Sequence, residues 1–527
     1  TDTPFPPTTP TNLTPTVPTE VTPQLFPSMA PSQPAPGSSV TQAAALDRKM
    51  PVPEYLNPSP NPLTLPTKPS EVTLTGAQPL TLEQAIELAE RNNRTIEQAK
   101  LQLEQSRAAL REAQASNLPT LLLQGDLTRS KSADSELNVR QQRENLERDL
   151  ASDDLTTRLT AQNQEAALRD NLRDADDART RITTSLTLSY NLFTAGLRPN
   201  QIKAAERLLR ISELEVDRVR ALTRFNVSNE YYQLQDAEAQ IEINAAAVRS
   251  SQSNLRDTEA QFQAGLGTKF DVLRVKVQLA NNEQQLSTAI ANREIQRRRL
   301  AQRLSLPESV IVVPADQPEP AGNWPISLEK TIILAYKNRA ELEQQLVQRE
   351  VSEARRKIAL SALGPTVSLI AQANFLEAFE DSVSVSSGYS IGAQAQWQLF
   401  DGGTAQAQAA QQTKNKELAE SRFAEQREAI RFEVEQAYAT LISNGKSIET
   451  TRQAIVQAEE ALRLAVLRFQ AGVGTQTERI DAEADLTRSR GNFTSAVIGY
   501  NQALAQLRRS VSNLPTDLSQ INRITAK

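Results

Sequence analysis

The sequence predicts a mainly α chain that also supplies four β-strands to a transmembrane barrel, with very long helices continuing that barrel as a helical tube. Three observations carry this reading. One strand-and-helix plan occurs twice at fixed offsets, each copy holds segments that alternate apolar and polar residues, and each holds an unbroken helical pattern of some 65 residues.

The duplication is read from landmarks. Leu82-Glu83, Asn92 and Leu118-Pro119 recur as Leu328-Glu329, Asn338 and Gly364-Pro365, all 246 positions later. Further on, Leu192-Phe193-Thr194-Ala195-Gly196 recurs as Leu399-Phe400-Asp401-Gly402-Gly403, Tyr231 as Tyr438, and Phe262-Gln263-Ala264-Gly265-Leu266-Gly267-Thr268 as Phe469-Gln470-Ala471-Gly472-Val473-Gly474-Thr475, all 207 positions later. A fixed period over so many points marks an internal repeat. The difference of 39 places an insertion in the first copy between Pro119 and Leu192, and the polar stretch 129–182 fits as a solvated loop with helical tendency. The expected organisation is therefore a proline- and threonine-rich segment 1–79, a first repeat 80–320, a second repeat 321–512 and a short tail 513–527.

Each copy reads helix, two strands, very long helix, glycine turn, second helix. Leu186, Leu188, Tyr190 and Leu192 alternate with Ser185, Thr187, Ser189 and Asn191, a period of two. Val367 to Phe375 and Ile391 to Leu399 alternate in the same way, and 120–128 does so less cleanly. Segments of about ten residues, apolar on one side and Gln/Ser/Asn on the other, suit a membrane barrel with a wet lumen. The other use of such strands, a soluble sandwich sheet, is poorly served by four strands among so many helices.

The helical stretches 198–261 and 404–468 would each reach on the order of 100 Å at about 1.5 Å per residue. The shorter ones near 82–117 and 269–305 would match that height end to end. A barrel needs about eight strands, whereas one chain supplies four and would leave open edges in lipid. Two chains give eight and three give twelve; a lumen that passes solutes favours three.

Composition removes other function classes. The chain has 527 residues, no histidine, no cysteine and only 4% aromatics, so thiol, disulfide and imidazole chemistry and most zinc sites are out of reach. The absence of cysteine suits the periplasm. A net charge of -5 without a basic surplus argues against nucleic acid. No apolar run nears the roughly 18 residues of a membrane-spanning helix. Residues 1–79 hold 19 of the 28 prolines, which predicts an extended or disordered tether. The chain opens on Thr1 with no charged-then-apolar signal segment, as expected of a processed or shortened chain.

The Leu-Phe-(Asp/Thr)-(Gly/Ala)-Gly step from strand to long helix, and the Phe-Gln-Ala-Gly-x-Gly-Thr turn followed by Asp271-Val272-Leu273, resemble the TolC family of outer-membrane efflux proteins over about residues 80–512, leaving out the insertion. The resemblance implies a homotrimer with a 12-stranded barrel in outer-membrane lipid and a helical tunnel across the periplasm. It implies partnership with a periplasmic adaptor and an inner-membrane pump (ABC, RND or similar), in multidrug export or type I secretion, with no enzymatic activity and no cofactor.

Gly265, Gly267, Gly472 and Gly474 are expected to supply positive backbone angles that end one helix and reverse the chain. Thr268 and Thr475 are placed to cap the next helix, with Asp271 and Glu478 in capping-box position. By resemblance, these turns form the periplasmic tip where the adaptor docks. Glu478 and Asp481 share one helix face, and the family positions they match carry acidic rings that narrow the tunnel entrance. Six carboxylates in a trimer would favour cations there. Arg274 stands where the first copy would match Asp481. Some family members latch the entrance with an aromatic hydroxyl and an arginine bonded to an acid. Asp271 matches the acid, but Phe469 and Gly474 replace the other two, so a different lock is expected. The competing reading, a periplasmic coiled-coil scaffold, leaves the paired strands unexplained.

Overall fold

The computed structural model describes residues 54–512 apart from 60, 62, 64, 75, 132, 164, 166–178 and 380–384, all within the unit Pro51–Lys527. The proline-rich start before residue 54 and the tail 513–527 lie outside the described residues. The end of the start segment is not a bare tether. Leu56 sits fully buried in a core cluster, and β1 (Ala77–Leu80) pairs in parallel with β4 (Ile311–Pro314).

The duplication is reproduced residue for residue in the helices. In the first copy α1 is Leu82–Asn92 and α2 is Arg94–Ala115; their counterparts α6 (Leu328–Asn338) and α7 (Ala340–Ser361) lie 246 positions on. The long α4 (Leu197–Gln263) and α8 (Thr404–Gln470) each have 67 residues, and the return helices α5 (Lys269–Arg303) and α9 (Gln476–Ser510) each have 35, offset by 207. No helix among the described residues is long and apolar enough to cross a membrane.

The α1/α2 break is made by Asn93, whose carboxamide oxygen accepts from Thr95 N and Ile96 N while its Nδ2 donates to Arg303 O at 2.8 Å. The matching residue before α7 is Arg339, which makes no side-chain cap. Two cores form at these breaks. One gathers Leu80, Leu88, Val227, Tyr231, Leu300 and Val312, and the other Leu342, Ile430, Val434, Leu441, Leu504 and Leu507. Tyr231, fully buried, donates its hydroxyl to Asp316 Oδ2 at 2.8 Å, so the polar tip of a core aromatic is satisfied.

The four predicted strands form one antiparallel sheet in the order β2 (Thr120–Ser130), β3 (Arg179–Phe193), β5 (Thr366–Ala378), β6 (Ser386–Gln396). Register puts like residues in rows. Leu121, Leu188, Ala371 and Ile391 align across the sheet, as do Leu123, Leu186, Ala373 and Tyr389. On the other face Gln124, Ser185, Asn374 and Gly388 align. The expected place of Leu192 beside Tyr190 is lost to a bulge, because the register shifts between Asn191 and Phe193 and it is Phe193 that faces Val367. β6 stops at Gln396, before Trp397, whose indole instead donates to Leu363 O at 2.9 Å.

The insertion falls between β2 and β3, and its bounds are narrower than 129–182 because both strands extend into that stretch. It is helical over α3 (Ala133–Leu150) and again over 155–163.

Candidate functional site at the paired helical turns

The two turns are built alike. Gly265 N donates to Phe262 O and Leu266 N to Gln261 O, at 3.0 and 2.9 Å; Gly472 N and Val473 N repeat this with Phe469 O and Arg468 O at 3.1 and 3.0 Å. This is the paired bonding of a helix closed by a left-handed residue, and Gly265 and Gly472 have φ of 76° and 73°. Gly267 and Gly474 do not share that conformation, contrary to the expectation from sequence. They are small because the chain doubles back onto the last helical turn. A Cβ at Gly474 would lie 2.9 Å from Arg468 Cβ and 3.0 Å from Phe469 N, and one at Gly267 would lie 3.4 Å from Phe262 N.

The caps differ between copies. Thr268 and Asp271 form a reciprocal capping box, with Asp271 N donating to Thr268 Oγ1 at 3.2 Å and Thr268 N to Asp271 Oδ2 at 3.1 Å. Asp271 Oδ2 also accepts from the Thr268 hydroxyl, so this carboxylate serves its own helix start. Thr475 accepts from Glu478 N at 3.2 Å, but Glu478 does not return the bond and so completes no box. Its longer side chain reaches Arg468, with Oε2 3.5 Å from Nε.

The turns meet within one chain. Arg274 Nη1 donates to Thr477 Oγ1 at 2.5 Å, joining the start of α5 to the start of α9. Glu478 and Asp481 are both exposed one turn apart on α9. Asp485 continues the exposed acidic line but is matched by Arg488 at 2.8 Å.

Behind these carboxylates lies a buried polar joint between α4, α5 and α9. Arg479, with its side chain 6% exposed, holds Asp257 Oδ2 at 3.0 Å and lies over the Phe469 ring, 5.8 Å from its centre. Gln476 Nε2 donates to Asn254 Oδ1 at 2.8 Å. Ser251 donates to Glu483 Oε1 at 3.1 Å and accepts from Asn282 Nδ2 at 2.6 Å. Burial pushes the Glu483 carboxyl up, against the smaller lowering effects of the Ser250 and Ser251 hydroxyls and of Arg479.

Phe469 and Gly474 therefore cannot supply the aromatic hydroxyl and arginine of the latch described above, yet Phe469 still takes part as a ring beneath Arg479. The joint was missed in the sequence, although the duplication carried a signal for it. Ser251, Asn254, Asp257 and Thr258 correspond to Ala458, Ala461, Leu464 and Ala465 at the matching positions of α8. Polar residues where the sister helix has apolar ones mark a helix face that meets polar partners.

Known proteins share this architecture. Nodulation protein T of Rhizobium leguminosarum bv. trifolii is 20% identical over 347 residues, covering 63% of this chain and 71% of that protein. The outer membrane protein VceC of Vibrio cholerae superposes with a TM-score of 0.64 at 18% identity, over 82% of this chain and 96% of that one. The Campylobacter jejuni CmeC outer membrane channel superposes with a TM-score of 0.66 at 16% identity, over 90% and 98%. Residues 85–305 and 331–513 match the family described as Outer membrane efflux protein. With both repeats covered, the chain belongs to that family of TolC-like outer-membrane channels.

Proposed function

We propose that three copies of this chain close one twelve-stranded barrel in the outer membrane, continued across the periplasm by a tunnel of their long helices. In this reading a periplasmic adaptor meets the paired turns and an inner-membrane pump supplies the cargo, in multidrug export or type I secretion. The observation that carries it is the four-stranded sheet. Its rows are apolar on one face and largely polar on the other, and its outer strands β2 and β6 are exposed along their whole length, without a further neighbour among the described residues. Such edges are untenable in hydrocarbon unless other copies complete the ladder.

The turns at Gly265, Gly267, Thr268 and Asp271, and at Gly472, Gly474 and Thr475, are the docking tip. Glu478 and Asp481 are the carboxylates that narrow the tunnel entrance, tempered by Arg468 beside Glu478. The joint of Arg479 with Asp257, Gln476 with Asn254 and Glu483 with Ser251 holds α9 against α4 and keeps the entrance closed.

Extraction and electrophoresis test the assembly. The chain should need detergent, migrate as a trimer unless heated, and co-purify with an adaptor. A detergent-independent monomer would point instead to the coiled-coil scaffold.

A further inference from the structure

The Arg339 break of the second repeat differs from the Asn93 break of the first in a way that packing alone does not require. A cavity of about 130 Å³ opens where the start of α7 meets α4 and the end of α9, and Arg210, Arg218, Arg339 and Arg509 all line it, with Asn338 beside them. By the offsets of the duplication, these four arginines correspond to Glu417, Glu425, Asn93 and Gln302. The sister positions carry no arginine, so the guanidinium cluster belongs to this joint and not to the repeat.

Charge pairing among the described residues leaves one guanidinium, that of Arg509, without a carboxylate of its own. The lining carboxylates are Asp217, Glu341 and Glu343. Glu343 and Glu213 hold Arg210 at 2.7 and 3.1 Å, Glu341 holds Arg339 at 3.1 Å, and Asp217 faces Arg220 at 3.8 Å. Arg218 is held by Glu215 at 2.6 Å, and Arg339 also by Glu433 at 3.0 Å. Arg509 has no carboxylate partner among the described residues and rests over the Phe225 ring, 5.4 Å from its centre. Burial, with Arg339 and Arg218 nearby, lowers its pKa against the opposing pull of Glu433 and Glu341. A guanidinium presents a planar fork of donors that matches an oxyanion. The start of α7 at Arg339 has no side-chain cap, and its first turn carries Glu341 and Glu343 against the helix dipole.

We infer that the cavity between α4, α7 and α9 binds a small tetrahedral oxyanion of the phosphate class, held chiefly by Arg509 with Arg218 and Arg210 around it. The anion would tie three helices at the level of the second core, a role that Asn93 performs with its own carboxamide in the first repeat.

The test uses the detergent-solubilised full chain and inorganic phosphate. Thermal unfolding is followed as phosphate replaces chloride at constant ionic strength, for the native chain, Arg509→Gln and Arg509→Lys. Phosphate stabilises many proteins weakly by exclusion from their surface, so the comparison between variants carries the result. A saturable rise in Tm in the native chain, absent in Arg509→Gln and partly kept in Arg509→Lys, with a matching binding isotherm by calorimetry, is expected. Equal shifts in the native chain and Arg509→Gln, or a rise that never saturates, would overturn the assignment. Should Arg509→Gln fail to fold, calorimetry on Arg509→Lys and on the native chain decides the matter, since a native chain that takes up no phosphate at millimolar concentration refutes it.

Discussion

Replacing Arg479 by alanine should loosen the tunnel entrance while leaving the barrel intact. The Arg479 side chain is 6% exposed and its partner Asp257 is 45% exposed, so removing the guanidinium leaves the carboxylate in water and not stranded in the interior. The loss is therefore taken at the low end for a hydrogen bond to a charged group, about 1.5 kcal/mol, with about 0.5 kcal/mol more for the cation over the Phe469 ring. At about 1.4 kcal/mol per factor of ten, roughly 2 kcal/mol shifts one protomer's closed-to-open ratio by about 30-fold. If three protomers open together the effect on the assembly is about three times larger in free energy.

Single-channel recordings in planar bilayers would show this as longer and larger openings. Susceptibility to a bulky antibiotic normally kept outside would report it in cells. Asp257→Asn should reproduce most of the change, and the swap of Arg479→Asp with Asp257→Arg should reverse part of it. A trimeric Arg479→Ala protein with native conductance and native susceptibility would refute the role given to this joint.

Other outcomes follow from the same geometry. Glu478→Ala combined with Asp481→Ala should abolish block by divalent cations at the entrance, whereas Arg468→Ala should strengthen it by leaving Glu478 unmatched; titration of single-channel current with a divalent cation separates the two. For Glu483 the sign is set by burial. Its carboxyl is raised above the ordinary value of 4.5, so the joint is fully stabilised below that value and loses stability as pH climbs through the raised pKa. Glu483→Gln, which keeps an acceptor for Ser251, should flatten that fall in unfolding or conductance measured from acid to neutral pH. Gly474→Ala should destabilise the second turn by about 1–3 kcal/mol through a forced backbone shift, because its Cβ would meet Arg468 and Phe469 at 2.9–3.0 Å. Gly267→Ala, with its nearest atom at 3.4 Å, should cost less; thermal unfolding of the two variants compares them.

Much of the architecture is legible in the chain because its signals are local and duplicated. A helix that starts after Thr268 or Thr475 announces itself by the cap, and strands show their alternation within ten residues. The limits appear where two elements must meet. Alternation alone puts Leu192 in the row of Tyr190, whereas the bulge that removes it depends on the strand opposite. At Gly267 and Gly474 the need for glycine comes from the preceding helical turn and not from their own φ, which no local pattern reveals. Glu478 sits in capping-box position, yet its carboxylate is diverted to Arg468, a residue across the turn. The joint around Arg479 and Glu483 and the arginine cavity at Arg339 depend on which faces of α4, α5, α7 and α9 come together. Periodicity sorts residues onto faces but does not say which face meets which.

The equal helices of the two repeats constrain how this protein can change in size. With 67 residues in both α4 and α8 and 35 in both α5 and α9, the turns at Gly265 and Gly472 stand level. A single added residue in one helix would turn everything beyond it by about 100° and lift it about 1.5 Å. Arg274 would then miss Thr477, and Arg479 would miss Asp257. The proposed tube could be lengthened only in steps of about seven residues, made in all four helices together. In the proposed assembly the tube's reach is thus set in whole steps, and an adaptor meeting the turns would have to match it.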